Sequence, residues 1–199
     1  MISDDPTPLD PITLRLAALD PSPNVVYLAR PCQYSTDPAC TYTYWSGRRF
    51  SEPVINSMNE AVSDYVRRAG SKEIHLVGYS GGGAVAVLLA DRRTDVASIR
   101  TVAGDLDPQG LNRYHGVTPL TDSLDPMEAA FRVSRLPQRH FIGSRDKRVP
   151  YFVVENFILA SESKNCIQVT KVPGLEHAVG WDGVWPELVN LPVECKDEN

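Results

Sequence analysis

No apolar run in the 199-residue sequence is long enough to cross a bilayer. The longest, residues 84–90, falls far short of the roughly 20 residues that a membrane helix requires. The first ten residues carry acids and prolines rather than a basic, apolar leader, so no secretory signal is legible in them. Basic tracts are missing too. Lys plus Arg make 20 against 25 for Asp plus Glu, a formal charge of −5, and no cluster could neutralise a phosphate backbone, which argues against nucleic acid as a partner. No cysteine pair has C-x-x-C spacing and no histidine stands a few residues from one, so a metal site is not expected. Internal repeats and low-complexity segments are absent. What remains, 42% hydrophobic and 23% charged residues, is the composition of one soluble globular domain spanning 1–199, which excludes disorder and collagen.

The four cysteines, Cys32, Cys40, Cys166 and Cys195, permit three pairings. They read either as four free core thiols, consistent with a cytoplasmic protein, or as two disulfides, Cys32–Cys40 and Cys166–Cys195. The second reading implies an oxidising compartment, periplasmic or secreted, with a leader upstream of this chain.

Short β-rich runs at 24–30, 73–79, 98–104, 139–144 and 166–172 alternate with helical patterns, which predicts a mostly parallel sheet in an α/β layered fold. Ser51 reads as the N-cap of a helix with Val54, Met58, Ala61, Val62 and Tyr65 on one face, ended by Gly70. Further helices are expected at 11–19, 82–91 and 185–191. Residues 34–49 read as a long loop pinned by Cys32 and Cys40, and 105–136 as an irregular insert that could wall a substrate pocket.

The densest chemical signal is Gly78-Tyr79-Ser80-Gly81-Gly82, a G-x-S-x-G match directly after a strand and before an apolar helix. A sharp strand-to-helix turn lifts the serine hydroxyl above the sheet, and the glycines give the turn room. A serine hydroxyl is a weak nucleophile, so it needs a base oriented by a third group. Asp146 follows the run 139–142, and His177, the only histidine beyond it, follows the last predicted strand. The separations, 66 and 31 residues, leave room for crossover helices. Asp105 and Asp107 are reserve candidates for the acid. His75 and His140 fall within strands, where core imidazoles are expected, and His115 lies in the insert.

Taken together, the elbow, the G-x-x-D-x-x-V-P segment 143–150 and the H-x-x-G-W segment 177–181 resemble the α/β-hydrolase family over roughly residues 11–191. The segment 28–34 with Tyr44-Trp45 and Arg49-Phe50 is similar to a bacterial subgroup of these hydrolases with poorly defined substrates. The resemblance implies a three-layer sandwich, Ser80 as nucleophile, His177 as general base and then acid, and Asp146 as the group orienting the imidazole. It also implies an oxyanion-hole donor in the Gly81 N–H and no cofactor. One departure stands out. The strand and loop that carry the family's second oxyanion donor are not found, and 24–30 corresponds to the strand beyond them. The expectation is a shortened start, or a homologue that closes the gap by pairing the flanking strands.

These residues lead to a serine hydrolase acting on a small-molecule carboxylic ester, less readily an amide, through an acyl-enzyme. Activity should then rise as His177 becomes neutral. The alternative is a catalytically silent binding protein of the same fold. A nucleotide-binding domain is disfavoured because neither G-x-x-x-x-G-K-[ST] nor G-x-G-x-x-G follows the first strand. Tyr34, Tyr44, Trp45, Tyr114 and Trp181 could wall the substrate pocket, whose specificity the sequence leaves open, as it does the oligomeric state.

Overall fold

The computed structural model describes residues 4–35 and 37–196. Four runs rich in β-branched and apolar residues form strands: β1 (Ile74–Tyr79), β2 (Val96–Val102), β3 (Gln138–Gly143) and β4 (Ile167–Val172). They pair in parallel in chain order, β1-β2-β3-β4, with Gly78 opposite Thr101, Thr101 opposite His140 and His140 opposite Val169. Because the strands run in one direction, the loops that follow them all open on one edge, the carboxyl edge.

Helices cover both faces of the sheet. On one side lie α1 (Ile12–Ala18) and α7 (Trp181–Leu188), whose Ile12, Leu16, Trp181 and Trp185 pack on Val102, Phe141 and Val172. On the other lie α3 (Gly81–Ala90), α5 (Pro126–Val133) and α6 (Phe152–Ala160), around Val87, Ile99, Ala129, Val153 and Phe157. Outside them α2 (Glu52–Ala69) lays Ile55, Met58 and Val62 against Val85 and Leu89 of α3. Enclosed in this way, α3 is apolar on every face and all its residues from Gly83 to Ala90 are buried. The result is the expected α/β sandwich.

Local chemistry explains the boundaries. Pro53 stands in the first turn of α2, and Gly70 ends the helix in the left-handed conformation, with the Gly70 and Ser71 amides donating to Arg67 and Val66. Ser51 occupies the N-cap, but its side chain makes no capping bond.

Three expectations are corrected. The run 24–30 joins no ladder, so the described residues hold four strands rather than five, and among them β1 pairs only with β2. Val25 and Val26 are exposed there because an apolar run becomes a strand only where a neighbour completes its hydrogen bonds. The insert 105–136 is not irregular. It carries α4 (Pro108–His115) and α5, each opened by an aspartate whose carboxylate accepts from the first turn, Asp107 from Gly110 and Asp125 from Met127. Pro108 and Pro126 stand at the first helical positions, where no amide is needed. The last helix begins at Trp181, directly after left-handed Gly180, not at 185, and it tolerates Pro186 inside.

Both cysteine pairs lie at disulfide distance. Cys32–Cys40 closes the start of the 34–49 loop, of which position 36 lies outside the described residues. Within that loop Tyr42–Trp45 forms a 3₁₀ turn. Cys166–Cys195 ties the C-terminal strap to the start of β4, where the Lys196 N–H donates to the Asn165 carbonyl and the Gln168 side chain to that of Glu194. No helix of the described residues is long and apolar enough to cross a membrane.

Gly78 is the backbone position with least tolerance. A Cβ there would overlap the Gly82 carbonyl and the Gly83 amide nitrogen, both main-chain atoms that cannot swing away. Gly78→Ala should therefore cost about 3 kcal/mol or more, read as a lowered denaturant midpoint.

Candidate active site

Each strand ends in a residue that the site uses. Ser80 follows β1, Asp105 follows β2, Asp146 follows β3 and His177 follows β4. Ser80 has φ 50° and ψ −121°, a conformation that side-chain-bearing residues rarely adopt. Main-chain bonds hold it there. Its N–H donates to Val102, while its carbonyl accepts from Gly83 and from Asp105, each at 2.9 Å. Its hydroxyl is thereby raised over the N-terminus of α3, where the Gly81 amide, at the first helical position, has no intrahelical acceptor.

Ser80 Oγ lies 3.0 Å from His177 Nε2, and His177 Nδ1 lies 2.9 Å from Asp146 Oδ2. The other oxygen of Asp146, Oδ1, accepts from the Arg148 and Val149 amides at 2.8 and 2.9 Å, so the turn after β3 fixes the carboxylate. An ionised carboxylate only accepts, which puts the imidazole proton on Nδ1 and leaves Nε2 to accept from the serine hydroxyl. The Asp146 side chain is 1% exposed and that of His177 11%, so solvent competes little for these bonds.

His177 is also gripped through its own carbonyl. Tyr79 Oη donates to it at 3.0 Å and Trp181 Nε1 at 2.9 Å, with the Tyr79 and His177 ring centroids 5.3 Å apart. Burial pushes the Tyr79 phenol up to about 12, so it stays a donor throughout the physiological range. Tyr79 escaped the sequence reading because it fills the variable position of the G-x-S-x-G motif. Trp181, expected as a possible pocket wall, is 1% exposed and acts as a clamp inside the core. Tyr34 and Tyr114 are exposed. The loops bearing Asp146 and His177 are laced together by Arg145 N–H to Leu175, Ser144 N–H to Val172, and Gly174 N–H to Ser144 Oγ. A cavity of about 720 Å³ opens beside them, lined by Arg145, Asp146, Arg148, Glu176, His177 and Val179 among others.

Of the reserve acids, Asp107 is committed to Gly110 and Asn156. Asp105 is buried and its Oδ1 has no partner. Burial pushes its carboxyl up to about 6, the Arg49 charge opposing and the Asp107 and Asp125 charges assisting. The histidines expected in the core lie in strands. His140 is fully buried, with Nδ1 2.8 Å from Thr101 Oγ1, and desolvation drops it to about 3, whereas His75, expected in the core as well, is exposed on β1 and meets Ser98 Oγ at 2.8 Å. His115 Nε2 contacts the Arg148 carbonyl at 2.8 Å, joining the insert to the Asp146 turn.

No protein-family profile and no curated protein sequence matches the chain. Solved structures do. The esterase domain of a Rhodothermus marinus protein superposes with TM-score 0.54 at 14% identity, covering 68% of this chain and 65% of its own. A puromycin hydrolase mutant gives TM-score 0.62 at 16% identity over 80% of this chain, which corresponds to 27% of that larger one. The monoacylglycerol lipase of Paleococcus ferrophilus gives TM-score 0.51 at 13% identity, covering 68% of this chain and 73% of its own. The chain thus has the α/β-hydrolase fold, and it spans less than two thirds of the first two of these structures.

The raised Asp105 titration carries a stability signature. An aspartate with a folded value near 6 and an unfolded value near 3.8 costs stability above pH 6 and nothing below 3.8. Asp105→Asn should stabilise the protein by about 2 kcal/mol at pH 7.5, raising Tm by several degrees, and the gain should vanish by about pH 4 in thermal melts.

Proposed function

We propose that the protein is a serine hydrolase that cleaves a small-molecule carboxylic ester, less readily an amide, through an acyl-enzyme. The reading rests on one observation above all: the continuous hydrogen-bonded line Ser80–His177–Asp146, assembled from three strand ends on one edge of the sheet. In this reading His177 Nε2 removes the hydroxyl proton as Ser80 Oγ bonds to the ester carbonyl carbon, and the carbonyl electrons move onto oxygen. The Gly81 N–H donates to that oxyanion. Collapse expels the alcohol, which takes the proton from His177. Water then repeats the sequence on the acyl-enzyme and frees Ser80. Asp146 keeps the imidazole in the tautomer that can accept from serine and favours its charged form. The esterase and lipase names carried by two of the structural neighbours agree with this class of substrate. The two cysteine pairs suit a periplasmic or secreted protein.

A second reading, a silent binding protein of the same fold, draws on the edge of β1. There no strand among the described residues brings a second oxyanion donor, and one such donor is worth about 10²–10³ in turnover.

Labelling by a fluorophosphonate, lost in Ser80→Ala, separates the two readings. Folded protein that takes up no label would establish the silent one. For the working enzyme, Asp146→Asn should lower kcat by about 10³–10⁴ while leaving the fold intact by circular dichroism. The wild-type rate should fall as acid protonates His177, and a profile that stays flat from about pH 5 to 8 would remove His177 as the base.

A further inference from the structure

Seven arginines pair with acids among the described residues. Arg92 grips both oxygens of Glu52 at 2.6 and 2.7 Å, and Arg93 those of Asp95 at 2.8 and 2.6 Å. Three that precede α2 in the chain do not. Arg30 Nη1, Arg48 Nε and Arg49 Nε are buried with no hydrogen-bond partner, and none of the three residues enters an ion pair among the described residues. Buried guanidinium donors without an acceptor are costly, so a fold that keeps several together usually presents them to something.

Their position relative to the nucleophile follows from Phe50. The Arg49 Cζ lies 5.4 Å from the Phe50 ring centroid, and the tip of that ring lies 3.4 Å from where a Cβ on Gly81 would stand. Arg49 is therefore separated from the oxyanion-hole amide by one aromatic ring. Arg30 lies within repelling range of Arg49, and burial together with that charge holds its guanidinium down at about 10. The segment is fixed. The Phe50 N–H donates to Ser123 Oγ, which itself donates to the Gly47 carbonyl, and Leu124 N–H donates to the Phe50 carbonyl. Asp105 feels the Arg49 charge but makes no ion pair with it, and its burial favours the neutral form below about pH 6.

We propose that Arg30 and Arg49 form an anion-binding subsite beside Ser80, and that the ester this protein takes carries an anionic oxygen group, a carboxylate or a phosphate. The subsite deepens the hydrolase reading and rests on it for the word ester. Two guanidiniums sharing one anion relieve their mutual repulsion and satisfy the stranded donors, and their planar forks match either group. Cleavage at Ser80 would then act on molecules held by their charged end.

The test separates binding from turnover. Glutarate and inorganic phosphate are titrated calorimetrically into the full-length Ser80→Ala protein, which keeps the subsite and lacks the nucleophile. At least one anion should bind, with Kd rising tenfold or more in Ser80→Ala/Arg49→Gln and in Ser80→Ala/Arg30→Gln. Arg49→Lys, which keeps the charge without the fork, should recover part of the loss. Tighter glutarate assigns the subsite to carboxylates, and tighter phosphate to phosphates. In the enzyme with Ser80 intact, mono-p-nitrophenyl glutarate should be favoured over p-nitrophenyl valerate by at least tenfold in kcat/KM, and Arg49→Gln should reduce that ratio tenfold, mainly through KM. Binding of neither anion, or binding indifferent to both arginines in variants whose circular dichroism is native, overturns the subsite. Arginine-dependent binding in a protein whose Ser80 takes no fluorophosphonate label would end the hydrolase reading and leave the subsite standing.

Discussion

The close approach of three backbone segments around Ser80 is the constraint on which the rest of the site depends. Ser80 is held in a conformation that costs on the order of 1–3 kcal/mol, and its neighbours supply the space and the bonds that keep it there. Gly78 lets β1 meet the first turn of α3, and Gly83 lets that turn touch Gly104 at the end of β2. The Ser80 carbonyl, accepting from both Gly83 and Asp105, staples the two strand ends together. The apolar, fully enclosed α3 then transmits the position of this turn to the core. A strained residue persists only where its surroundings over-determine it, and here the over-determination comes from main chain rather than from side chains.

His177 illustrates the opposite strategy. It stands on a loop, where conformational freedom is greatest, and side chains immobilise it instead. Tyr79 and Trp181 donate to its carbonyl, while Asp146 accepts the hydrogen bond from its Nδ1–H. The two donors come from β1 and α7, elements on different layers, so the imidazole is referenced to the sheet and to the covering helix together. This explains why an indole that looked like a pocket wall is buried.

Much of this was legible in the sequence because it is local. The G-x-S-x-G turn, the parallel runs of β1 to β4 and the amphipathic α2 each announce themselves within a dozen residues. The order of Ser80, Asp146 and His177 along the chain was equally readable, since each had to follow a different strand. What the sequence concealed depends on distant partners. The run 24–30 has strand-like residues but finds no neighbour to complete its ladder. The insert 105–136 looked irregular because Pro108 and Pro126 serve as helix starts, a role that only the capping bonds of Asp107 and Asp125 disclose. The stranded donors of Arg30 and Arg49 have no sequence signal at all, for an arginine without an acid partner is defined by what folds around it.

The strap that follows α7 has a consequence for colloidal behaviour rather than for chemistry. An unprotected outer strand offers a row of backbone donors and acceptors on which another chain can add, the first step of cross-β aggregation. The segment tethered through Cys166–Cys195 holds the start of β4, its Lys196 N–H donating to the Asn165 carbonyl and its Glu194 carbonyl accepting from the Gln168 side chain. Reducing the tether leaves Ser80, His177 and Asp146 bonded as before but loosens the guard on the sheet's last strand. Thiols would thus be felt first as turbidity at high concentration, well before any change at the carboxyl edge.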